Sequence, residues 1–122
     1  MVFVGSKNIK APGPGVASYS VAKAGLQQLA RVATMELAPL GVRVNTVHPD
    51  AVFDTGVWTD DILEARAAKY NMSVESYKKR NLLKASITSK DVARTIFLLV
   101  GSEMSATTGA HVSIDGGNAR TV

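Results

Sequence analysis

Tyr19 and Lys23 stand four residues apart. That is just over one helical turn, so in a helix both side chains leave the same face. A phenol with an ordinary pKa near ~10 handles protons poorly at neutral pH. An ammonium a few ångströms away favours the phenolate and brings that value down. Such a pair can give or take a proton at a carbonyl or alcohol oxygen. Ser6 precedes Tyr19 by thirteen residues and follows the apolar run Met1-Val2-Phe3-Val4-Gly5, where its hydroxyl can donate to the same oxygen. The spacing alone leaves a plainer reading open, in which Tyr19 is a half-buried helix residue and Lys23 a solvated one.

Other chemistries find less support. Without cysteine there is no disulfide, thiolate metal site or cysteine nucleophile. His48 and His111 are far apart in the chain and share no metal-ligand spacing with a carboxylate, so each is expected to be structural. Asp50, Asp54, Asp60 and Asp61 lack the spacing of a calcium loop and read as loop and cap residues, so no metal is expected. The net charge is +4, and its densest patch, Lys78, Lys79, Arg80 and Lys84, has only Tyr77 beside it. That reads as a solvated helix face, and no nucleic-acid partner is expected. No apolar run reaches the ~20 residues of a membrane span, and no signal-like leader is read at the start. The expectation is a soluble, cytoplasmic protein without a membrane partner.

The elements that must hold these residues follow from the pattern of the 122-residue chain, taken as one domain. Residues 1–5 read as a buried strand of the parallel type. A polar loop punctuated by Ala11-Pro12-Gly13-Pro14-Gly15 follows. From Ala17 to Leu37 apolar residues recur at threes and fours, Val21, Leu26, Leu29, Ala30 and Ala33 among them, and Pro39 and Gly41 stop the helix. The β-branched run Val42–Val47 predicts a second strand, ended by His48-Pro49-Asp50. Asp60 or Asp61 can cap a helix to about Lys69, and Ser73 can open another to about Arg80. Thr88 and Asp91 have the spacing of a capping box ahead of a helix closed by Gly101. His111–Asp115 is the last strand, before Gly116-Gly117. Strands alternating with helices predict an α/β fold with a parallel sheet of about three strands.

The strand ending at Ser6, the Tyr19-Ser20-Val21-Ala22-Lys23 motif, Gly41-Val42-Arg43-Val44-Asn45 with Pro49, and Ile114-Asp115-Gly116-Gly117 together resemble the C-terminal half of a short-chain dehydrogenase/reductase, from Val2 to Asn118. The resemblance implies the catalytic half of a Rossmann-like doubly wound sheet. It makes Tyr19 the general acid/base, Lys23 its helper and the holder of the nicotinamide ribose, and Ser6 the group polarising the substrate carbonyl. Pro49, Asp50, Ala51 and Val52 would run along the nicotinamide of NAD, with NADP left open. The family usually has glycine where this chain has Asp50.

Val2–Asn8, the Ala11–Gly15 loop, Pro49–Val52 and Asn81–Lys84 look like a narrower branch, the dehydrogenase portion of bifunctional rhamnulose-1-phosphate aldolase/lactaldehyde dehydrogenases. That branch implies a small carbonyl or alcohol substrate such as lactaldehyde. Gly13-Pro14-Gly15-Val16-Ala17-Ser18 imitates a dinucleotide turn but follows a polar loop rather than a strand end, so the pyrophosphate-binding half is read as absent. A homo-oligomer is expected through the small-residue helix face at Ala22, Gly25 and Leu29. The alternative reading is an inactive, truncated module that only folds and self-associates.

Overall fold

A computed structural model describes residues 1–120. Three strands, β1 (Val2–Val4), β2 (Asn45–Pro49) and β3 (His111–Ile114), form one parallel sheet in the order β1-β2-β3. Val2 lies opposite Asn45 and Thr46 opposite His111. The central strand is buried at Asn45, Thr46, Val47 and His48, as a parallel strand covered on both faces should be.

Between β1 and β2 comes the long helix α1 (Ala17–Leu37), continued by a 3-10 turn and ended by Gly41 at a left-handed φ of 75°. α2 (Asp60–Lys69), α3 (Val74–Lys78) and α4 (Ser89–Val100) lie between β2 and β3. The capping box forms in full: the Thr88 hydroxyl accepts from the Asp91 amide, and the Asp91 carboxylate accepts from the Thr88 amide. Ser73 caps α3 through the Ser76 amide, though that helix ends at Lys78 rather than near Arg80.

Two expectations need correction. The second strand starts at Asn45, three residues after the β-branched run begins, and continues through His48-Pro49. Arg43 sits in the lead-in, and its guanidinium donates to the carbonyls of Leu99, Val100, Gly101 and Thr107. It thereby satisfies the open carbonyl end of α4 instead of joining the ladder. Pro49 is tolerated because it is the last strand residue, and the ladder resumes with the Asp50 amide donating to the Ile114 carbonyl. The N-cap of α2 is Thr59, with Asp60 and Asp61 inside the first turn, where their charge meets the positive end of the helix dipole. In α1 the buried residues are Gln27 and Ala30, while Val21 is 71% and Leu29 55% exposed, so the face at Ala22, Gly25 and Leu29 does not pack on the sheet.

Candidate active site

Strand β1 ends at Val4, and Ser6 leaves it as the cap of a 3-10 turn at Lys7–Ile9. Ser6 is buried, and its oxygen accepts the Asn8 amide at 3.2 Å. That leaves the hydroxyl hydrogen free to donate elsewhere. Tyr19 is in the first turn of α1 and is 46% exposed. One turn on, Lys23 donates from Nζ to the Val4 carbonyl at 2.9 Å, and the same nitrogen lies 5.8 Å from the Tyr19 ring centroid. The helix and the strand end are thus tied together two residues before Ser6. Among the described residues, no hydrogen bond joins the Ser6, Tyr19 and Lys23 side chains to one another; they share a place, the carboxyl end of the sheet. Ligands in open α/β sheets bind at this end.

The segment Pro49–Val52 leaves the same end of β2. Ala51 has φ of 49°, in the left-handed region, a strain of roughly 1–3 kcal/mol for a residue with a side chain. Neighbouring contacts hold it. The Asp50 carboxylate accepts from the Asn118 side-chain amide and faces Arg80 at 3.9 Å, and the Val52 carbonyl accepts the Thr55 hydroxyl at 2.9 Å. Arg80 in turn stacks on Tyr77 at 4.3 Å, and Tyr77 belongs to an aromatic cluster with Phe53, Trp58 and Tyr70. Trp58 therefore packs among aromatic rings.

Beyond β3 the Asp115 carboxylate accepts the amides of Gly117 and Ala119. Gly116 (φ 59°) lies against Asn81, where an added Cβ would come within 2.5 Å. The turn that carries Asn118 is fixed in this way beneath Asp50. Of the remaining acidic residues, Asp54 accepts from the Ser89 amide and hydroxyl, and these bonds hold its carboxyl below the usual carboxylate range.

Sequence reasoning missed two features. His48 and His111, expected to act separately, form a pair: His48 Nε2 lies 3.2 Å from His111 Nδ1, with the rings stacked at 5.5 Å. Gln27 joins them from α1, its amide nitrogen 3.1 Å from His111 Nε2. Burial, reinforced by charge repulsion from His111 and Lys10, pushes the His48 pKa down to about 4. The register of β2 against β3 brings the two histidines together, and the sequence does not print that register. Asn118 and Arg80 as partners of Asp50 were likewise invisible. The Asp50 substitution itself was the one available signal.

Lys23 uses one of its three N–H donors on Val4 and keeps two, the Tyr19 phenol is half exposed, and the Ser6 hydroxyl keeps its hydrogen. Such a donor set fits the ribose and nicotinamide end of a dinucleotide. The Gly13–Gly15 turn is separated from β1 by the 3-10 turn and does not form a strand-to-helix phosphate cradle.

Comparison with known proteins agrees with this fold. Residues 1–119 match the family described as enoyl-(acyl carrier protein) reductase, of the short-chain alcohol dehydrogenase type. The chain belongs to the short-chain dehydrogenase/reductase family. It is 39% identical over 122 residues to the uncharacterized oxidoreductase YuxG of Bacillus subtilis, covering 96% of this chain and 18% of that protein. It is 29% identical to cyclopentanol dehydrogenase of Comamonas, covering 85% of this chain and 39% of that enzyme. Among solved structures it resembles an NADPH-bound short-chain oxidoreductase of Pseudomonas aeruginosa with an atypical catalytic centre. The TM-score there is 0.82 at 31% identity, covering 99% of this chain and 46% of that one. The chain therefore spans less than half the length of the relatives it matches. The family's α/β architecture, with a parallel sheet and flanking helices, is the one observed. No described helix is long and apolar enough to cross a membrane.

Proposed function

We propose that this chain is the catalytic half of a nicotinamide-dependent oxidoreductase that interconverts a small carbonyl compound and its alcohol. The observation that carries the reading is the Lys23 Nζ bond to the Val4 carbonyl. It sets Lys23 and Tyr19 beside the strand end that delivers Ser6. In the reductive direction Ser6 donates to the substrate oxygen and polarises the carbonyl. Tyr19 gives its phenolic proton to that oxygen as the carbon receives hydride, and Lys23 stabilises the phenolate left behind. A bound nicotinamide dinucleotide supplies the hydride. The two free donors of Lys23 orient its ribose, and Pro49, Asp50, Ala51 and Val52 line its nicotinamide. NAD and NADP both fit these contacts.

Lactaldehyde is the substrate we favour. Its support is the loop resemblance at Val2–Asn8, Ala11–Gly15, Pro49–Val52 and Asn81–Lys84. A second copy of the chain is the proposed partner. Ala22, Gly25 and Leu29 recur on an exposed face of α1, and among the described residues nothing outside the helix backbone lies within 4 Å of where a Cβ on Gly25 would stand. The cytoplasm is the proposed compartment, in keeping with a soluble nicotinamide pool.

The test is a steady-state assay with lactaldehyde and cyclopentanone, each with NADH and NADPH. It uses a protein that places a nucleotide-binding half ahead of this chain. Tyr19→Phe is expected to lower kcat by about 10²- to 10⁴-fold while leaving nucleotide affinity in place. Retained turnover in that variant removes Tyr19 from the acid/base role. Preference for cyclopentanone removes the lactaldehyde assignment.

A further inference from the structure

Gln27 lies four residues after Lys23 and eight after Tyr19, so the three share one face of α1. Tyr19 faces the proposed reaction, Lys23 is bound to Val4, and Gln27 reaches His111. From His111 the contact passes to His48, which is 1% exposed, and the far side of the His48 ring meets the backbone at Gly5, just past the end of β1. A Cβ on Gly5 would stand 2.6 Å from His48 Nδ1, so that backbone can approach the ring only because residue 5 is glycine. Gly5 immediately precedes Ser6. The side-chain series Gln27–His111–His48 therefore runs from the helix of Tyr19 and Lys23 to the strand end of Ser6.

We propose that Gln27, His111 and His48 act as one positioning chain that fixes the spacing between α1 and the Gly5–Ser6 backbone. The proposal rests on the reading of Ser6, Tyr19 and Lys23 given above. None of the three residues touches substrate; they act through the backbone and helix they join.

The proton count gives the chain a definite state. With the Gln27 amide donating to His111 Nε2, His111 must carry its proton on Nδ1 and donate it to His48 Nε2. His48 then keeps its proton on Nδ1, the buried nitrogen that has no hydrogen-bond partner among the described residues and faces the Ser6 backbone. A polar series packed between a helix and a sheet costs stability unless its members satisfy one another. Lys10 and Arg31 face the pair from the β1–α1 loop and from α1, and both oppose a proton charge on it. Within this frame both histidines stay neutral and the tautomers stay locked.

The experiment uses the 15N-labelled 122-residue chain without cofactor or substrate, so it can fail while the Tyr19→Phe assay succeeds, and the reverse. Expected is a through-hydrogen-bond coupling between His48 and His111, with His48 protonated at Nδ1 and no titration of its ring between pH 7.5 and 5.5. In His111→Ala, a change at an exposed position, exchange of the Gly5 amide is expected to accelerate about tenfold. The Lys23 ζ-ammonium signal, held by Val4, should broaden in the same variant, while amides in α4 keep their rates. Gln27→Leu should do the same. Independent titration of the two rings near the ordinary histidine value overturns the proposal. Unchanged Gly5 exchange together with an unchanged Lys23 signal in both variants overturns it as well.

Discussion

Lowering the pH from 7 to 5 should destabilise this chain through His48. The unfolded ring takes a proton near 6.5, whereas burial beside His111 and Lys10 brings the folded value down to about 4. Between those values the unfolded state binds more protons than the folded one, so stability rises with pH and is lost as pH falls. At ~1.4 kcal/mol for each pKa unit, the His48 contribution to that loss between pH 7 and 5 integrates to about 2 kcal/mol. His111, also lowered by burial and by Arg31 and Lys10, adds to the loss with the same sign. Asp54, Glu75 and Asp91 have depressed carboxyl values, so their contribution is present above the unfolded carboxylate range and disappears only below it. They leave the window from 7 to 5 to the histidines. Urea unfolding at the two pH values, for the wild type and for His48→Phe, separates the terms. The wild-type midpoint should fall by roughly 1–2 M, and the variant should keep only the smaller drop that His111 causes. A midpoint unchanged in the wild type, or an undiminished drop in the variant, refutes the argument.

Two further outcomes follow from side chains that hold segments in place. Arg43→Met keeps the apolar stem but strands the carbonyls of Leu99, Val100, Gly101 and Thr107. It should cost about 2 kcal/mol and lower the thermal midpoint; an unchanged melt would mean that water replaces the guanidinium without loss. Asp50→Gly frees Arg80 and Asn118, and through Arg80 the Tyr77 ring beside Trp58. Its tryptophan emission should shift to the red with helix content unchanged, and an identical spectrum would show that Asp50 does not set the aromatic cluster.

Element types were legible in the chain because each rests on local chemistry. The Thr88–Asp91 box, the Gly41 stop and the alternation of strand with helix are satisfied within a few residues, and all three form. The beginning of β2 was not legible for the opposite reason. Val42 and Val44 have strand-type side chains, but whether a backbone joins the ladder depends on who else takes its hydrogen bonds. Here the Val44 amide donates to the Thr108 hydroxyl, sixty-four residues away. Asn45 likewise spends its side chain on Thr107 and Ala110. Neither partner can be found from spacing, since both depend on the pairing of β2 with β3.

The candidate site divides along the same line, and α1 shows why. Its Tyr19–Lys23 spacing could be read directly, because helical period converts sequence distance into a shared face. Its buried side was not legible, because apolar periodicity alone does not say which face packs on the sheet. In the structure the sheet side carries Lys23, Gln27 and Ala30, with Lys23 and Gln27 each holding a partner on the strands, while Val21, Leu29 and Met35 are exposed. Burying polar groups against a sheet is tolerable only where each finds a partner. Exposing several large apolar side chains on one helix is in turn costly unless a second surface covers them. Both features suit one arrangement: α1 offers a polar face that positions the proposed catalytic groups and an exposed apolar stripe for the self-association proposed above. A helix with both stripes, polar at four-residue steps and apolar beside it, reads as wrongly amphipathic when a single interface is assumed, and as consistent once two are allowed.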